Sequence, residues 1–100
     1  MIFVIEETLH AESVCEHSSL EAVWLKLLQM SQVPWGQPPH SPPCAKGLRC
    51  ERSYEVAEYD EIEGSWHLVR RLGGFDISSR GLVWHEEDQW EVFRRAQSGR

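Results

Sequence analysis

Two short parts of the chain hold most of its chemistry-bearing residues. The segment 33–50, VPWGQPPHSPPCAKGLRC, contains all five prolines, Trp35, His40, Cys44 and Cys50. The segment 8–17, TLHAESVCEH, adds Cys15 and His17. Zinc takes four nitrogen or sulfur ligands, commonly from paired cysteines a few residues apart. Here Cys44 and Cys50 stand as C-x5-C, His40 precedes Cys44 by H-x3-C, and Cys15 with His17 forms C-x-H. A zinc site built from Cys44, Cys50 and either His40 or Cys15 is therefore one reading, with loops on either side of one helix meeting at the metal. A Cys44–Cys50 disulfide is a second. Reduced cysteines tucked under the loop as small hydrophobes are a third, and the one favoured by an odd cysteine count without a secretion signal.

Catalytic patterns are weaker. Cys15–His17 and Cys44–His40 can be written as nucleophile–base dyads, which need hydrogen-bond reach and a lowered thiol pKa. No G-x-S-x-G, H-E-x-x-H or glycine-rich phosphate loop occurs. Glu58, Asp60, Glu61 and Glu63 cluster near a turn but lack the calcium-loop order. The sequence predicts no catalytic residue and no resident cofactor other than the zinc alternative.

Trp35 is the residue of 33–50 whose partner no pattern dictates. It caps a helix–sheet seam, or it stands exposed beside Pro38 and Pro39 on a stiff loop. An exposed Trp on a preorganised segment is a good interface anchor. This gives the leading expectation: a small protein-binding module using 33–50 and a neighbouring sheet edge, with Trp35, Pro38, Pro39 and His40 as contacts. Zinc binding is the alternative.

The elements that must position these residues follow from composition and periodicity. The chain has 100 residues, 41% hydrophobic and 26% charged, which suits an ordered globular unit. One domain over 1–97 with a frayed 98–100 is expected. The net charge of −6 repels phosphate backbones. Arg70-Arg71 and Arg94-Arg95 make no groove, since adjacent strand residues point to opposite faces, so no nucleic-acid partner is expected. No apolar run is long enough to span a membrane, and MIFVIEE lacks a basic signal-peptide start, so a cytoplasmic location is expected. Nothing in the chain sets the oligomeric state.

IFVIE at 2–6 reads as an interior strand. Residues 8–17 show no clear period and read as a connection. Ser18 and Glu21 form a capping box for a helix over 19–31, whose apolar stripe is Leu20, Val23, Trp24, Leu27 and Leu28. Beyond the proline loop the period becomes two. Strands are predicted around 54–59, 66–72, 75–78 and 82–85, with turns at Gly64 and at SRG (79–81) and a turn or bulge at Gly73-Gly74. Trp66 and Trp84 are assigned inward positions. Glu55 and Glu58 should form cross-strand ion pairs with Arg70 and Arg71. EEDQWEVFRRA at 86–96 reads two ways: acids at 86–88 and arginines at 94–95 suit a helix dipole, while Trp-Glu-Val-Phe alternates as a strand with EEDQ as the turn, and the second reading is taken. The fold class is α+β: one amphipathic helix on a mainly antiparallel sheet of about five strands, in the order β-α-loop-β-β-β-β.

Overall fold

The computed structural model describes residues 1–37, 40 and 51–98. It is an α+β fold with one antiparallel sheet of five strands in the order β2-β1-β3-β4-β5. The strands are β1 (Ile2–Glu7), β2 (Glu12–His17), β3 (Arg52–Ile62), β4 (Ser65–Ser78) and β5 (Gly81–Trp84). Helix α1 (Leu20–Ser31) follows β2. A short 3-10 turn at Glu87–Trp90 leads into helix α2 (Glu91–Ser98).

As its two apolar faces require, β1 lies inside the sheet, between β2 and β3. The residues after it are not a connection. They form a hairpin with β2, which pairs antiparallel with β1 and carries an extra residue, Val14, where the register shifts after Ile5. The chain therefore runs β-β-α. The extra residue reverses the phase partway along ESVCEH, so its alternation is faint.

Helix α1 buries Val23, Trp24, Leu27 and Met30 against the sheet, with Leu20 and Leu28 beside them. Its cap is Ser19, one residue later than the capping-box reading. The Ser19 side chain accepts from the Ala22 N–H at 3.1 Å. Glu21 therefore sits inside the first turn, where a negative charge complements the helix dipole.

The β3–β4 turn is Glu63-Gly64, both at positive φ between the paired residues Ile62 and Ser65, the geometry that matches strand twist. From there β4 is one long strand. Gly73-Gly74 does not turn it; Gly74 and Phe75 stand opposite Tyr54 in a bulge. A Cβ on Gly74 would lie 2.2 Å from the Tyr54 carbonyl oxygen, so glycine is required there. A second bulge places Val69 as an extra residue between the pairs Glu58–Arg70 and Tyr59–Leu68. One inserted residue reverses the phase of everything beyond it. Leu72 is core, but Trp66 and Leu68 fall on the opposite face, and Trp66 is 51% exposed rather than inward.

The 86–96 segment is helical, not a strand. Glu86 takes a left-handed backbone (φ 49°), the chain turns, and Trp90 is fully buried. The core is an aromatic chain: Tyr54 meets Phe75, Phe75 meets Trp84, and Trp24 lies between Trp84 and Trp90 with ring centroids 5.5 and 5.7 Å away. Trp84 is thus half-buried on the helix side, as its alternation implies.

Candidate functional site

Three groupings could carry function, and their physics differs. The first is around His40. Its ring is buried, with Nε2 2.7 Å from the Met30 carbonyl and Nδ1 2.8 Å from the Tyr54 hydroxyl. A carbonyl only accepts, so Nε2 carries the proton and the Tyr54 hydroxyl donates to Nδ1. Burial lowers the His40 pKa, the Met30 hydrogen bond opposes that, and nearby Arg52 lowers it further. Burial also pushes Tyr54 up to about 12. Both groups are held neutral, and His40 bridges the end of α1 and β3. Any metal at His40 would have to displace one of these two bonds.

The second grouping is Glu7, His10, Glu12 and Arg52 at the β1–β2 turn. The Glu7 carboxylate is fully buried and takes the Leu9 N–H at 2.7 Å, the His10 ring, and Arg52 at 3.6 Å. Arg52 also reaches Glu12 at 3.4 Å. Thr8 adds a backbone bond to the Ser53 carbonyl at 2.8 Å. These contacts consume the carboxylate and tie the turn to β3. A shallow cavity of about 400 Å3 beside them is lined by Glu6, Glu12, Glu55 and Arg71 among others.

The third is the far half of the β3–β4 hairpin. Pairing of β1 with β3 ends at Ile2–Tyr59, so residues beyond it project as a two-stranded arm. Pairing of β5 with β4 covers only Phe75–Ser78. Between these limits the outer edge of β4 over Ser65–Leu72 has no neighbouring strand among the described residues. The edge is closed at Gly73 by side chains: its N–H donates to Gln89 Oε1 at 3.0 Å and its carbonyl accepts from Trp90 Nε1 at 2.9 Å. The two-residue strand repeat turns the backbone groups of Arg71 to the same side, where no strand pairs with them. Ile62, Trp66, Leu68 and Val69 are all exposed along this arm.

The charges on the arm behave as the cross-strand pattern implies. Arg70 Nε donates to Glu58 at 2.8 Å on one face. Arg71 Nη1 donates to Glu6 at 2.8 Å and lies 3.5 Å from Glu55 on the other. The hydrogen bond to Glu6 and the surrounding carboxylates raise the Arg71 pKa.

The residues singled out in the sequence are scattered. Trp35 is half-buried and packs on the core near the end of α1, beside a groove of about 440 Å3 that also borders Ile77 and Gly81. His40 is buried beneath Tyr54. Cys15 is a half-buried free thiol on β2 opposite Ile5, and burial raises its pKa, contrary to what a reactive nucleophile needs. Pro38, Pro39, Cys44 and Cys50 lie outside the described residues. Among the described residues no three His, Cys, Asp or Glu side chains cluster as metal ligands. Sequence reasoning missed the arm because its exposure comes from the Val69 bulge, which alternation alone does not reveal. The available signal was the length of the alternating run on either side of Glu63-Gly64, too long for β1 to cover. No helix among the described residues is long and apolar enough to cross a membrane. No known protein family, no curated protein and no solved structure matches this chain.

Proposed function

We propose that this chain is a small protein-binding module that takes an extended segment of a partner protein by strand addition along Ser65–Leu72 of β4. The observation that carries this reading is the bare β4 edge flanked by exposed Trp66, Leu68 and Val69. An unpaired edge offers a row of backbone donors and acceptors, and apolar side chains beside it supply the area that makes such pairing favourable. Exposed apolar residues grouped on one element, rather than scattered singly, mark an interaction surface. This reading takes the arm as the binding surface, and it is supported by the inward packing of Trp35 and His40. The module operates in the cytoplasm, a reading supported by the odd cysteine count and the free Cys15.

The test is selection of displayed random peptides on the whole chain, followed by amide hydrogen exchange with a selected peptide bound. The expected result is enriched peptides that slow exchange within Ser65–Leu72. Enrichment of none, or protection confined to α1 or β2, overturns the reading.

A further inference from the structure

We infer that the segment received at this edge is acidic as well as apolar, with carboxylates beside Arg70 and Arg71 and apolar side chains beside Trp66 and Leu68. The inference rests on the strand-addition reading above and names the chemistry of its partner.

The chain as a whole carries −6, yet Ser65–Phe75 contains no Asp or Glu. An added strand lies about 5 Å from β4 and has the β4 side chains as its nearest neighbours. The carboxylates that already hold the two arginines, on Glu58, Glu6 and Glu55, belong to β3 and β1 and stand on the inward side of β4.

Those carboxylates fix the guanidinium groups without exhausting them. Arg70 gives Nε to the buried Glu58 and keeps both Nη groups, on a side chain 53% exposed. Arg71 gives Nη1 to Glu6 and keeps Nε and Nη2. A guanidinium has five N–H donors, so each can accept a second carboxylate, in a position its first partner has already set.

The faces give the pattern. Arg70 points to the helix side, while Arg71, Leu68 and Trp66 share the open side. A matching strand therefore carries two consecutive acids and then apolar residues at alternate positions. A second copy of this chain fits poorly. Antiparallel self-pairing over the full Ser65–Leu72 edge sets Arg71 and Arg70 of each copy against Trp66 and His67 of the other, and offers neither guanidinium a carboxylate. A basic segment would place like charge beside both arginines.

The experiment uses the full chain and synthetic peptides matched in length to the bare edge. One alternates Val around a Glu-Glu pair, a second has Lys for Glu, and a third has Ser for Val. The Glu–Val peptide is expected to bind by fluorescence anisotropy at least about tenfold more tightly than the Lys and Ser peptides. Added salt should weaken it, and it should slow amide exchange in Ser65–Leu72. In the Arg70→Gln/Arg71→Gln variant it should lose about tenfold in affinity; the salt series and the Lys peptide keep the test decisive should loss of Arg70 unsettle buried Glu58. Equal or tighter binding of the Lys peptide, or selected peptides that protect Ser65–Leu72 yet are neutral or basic, overturns the acidic assignment and leaves strand addition standing. Protection of Ser65–Leu72 that appears with protein concentration alone, alongside a dimer by size, assigns the edge to a second copy and overturns it as well. If no peptide of any charge protects the edge, strand addition itself fails.

Discussion

Gly73 and Arg71 lie two residues apart on one edge of one strand, and they mark the border between two unlike regions. On the Gly73 side the edge is covered: β5 pairs with Phe75–Ser78, His85 N–H bonds the Gly74 carbonyl at 2.9 Å, and Gln89 and Trp90 close Gly73. Aromatic rings fill the space beneath. On the Arg71 side the outer edge continues with no neighbouring strand among the described residues and with its apolar side chains exposed. The same strand is thus core at one end and bare at the other. Stability resides in the first region, and the second adds little to the core.

Substitutions sharpen that division. The largest effect is expected from Gly74→Ala, because its Cβ meets the Tyr54 carbonyl at 2.2 Å and the bulged backbone cannot move away cheaply. A loss of about 3 kcal/mol is expected by urea denaturation. A loss below about 1 kcal/mol would show that the packed end is looser than described.

His40→Leu comes next. It removes the buried His40 bonds to the Tyr54 hydroxyl and the Met30 carbonyl, an expected cost of about 2 kcal/mol. The pH dependence has a definite sign. His40 titrates below its ordinary 6.5 in the folded chain, so below that pH the unfolded chain binds the extra proton first. Its contribution to stability is full above 6.5 and declines as the pH falls toward the folded pKa. Denaturation midpoints measured across this interval should fall for the wild type and fall less steeply for His40→Leu. Parallel slopes would remove His40 from the account.

The smallest effect on stability is expected on the arm. Trp66→Ser with Leu68→Ser should shift the unfolding free energy by no more than about 0.5 kcal/mol per site. The same pair should abolish peptide protection of Ser65–Leu72. A large loss of stability there would mean that the arm belongs to the core.

Much of the packed region was legible in the sequence. The α1 stripe, the interior place of β1, the Glu63-Gly64 turn and the Glu58–Arg70 pair all follow from local periodicity or turn chemistry. Legibility ended where one residue changes a phase. Val69 turns Trp66 from an inward to an outward position, and Val14 blurs the alternation of β2. Gly73-Gly74 reads locally as a break, but the close approach of Tyr54 makes it a continuation. Trp90-Glu91-Val92-Phe93 has strand composition, and its helix is set by tertiary demand: Trp90 must reach both Trp24 and the Gly73 carbonyl. For the candidate site, residue type pointed to the cysteine–proline loop, whereas exposure depends on which elements fail to cover which strand.

The closure at Gly73 also has a consequence for the order of assembly. Gln89 and Trp90 reach back across sixteen and seventeen residues of sequence to stop the edge. β1 to β4 all precede them in the chain, so pairing within the sheet can form before the stop does. Until Gln89 and Trp90 dock, the unpaired edge runs on past Leu72 to Gly73, and Trp24 lacks the ring that covers it on that side. The last segment therefore sets the length of the bare edge, and folding that stalls before it docks leaves a longer one.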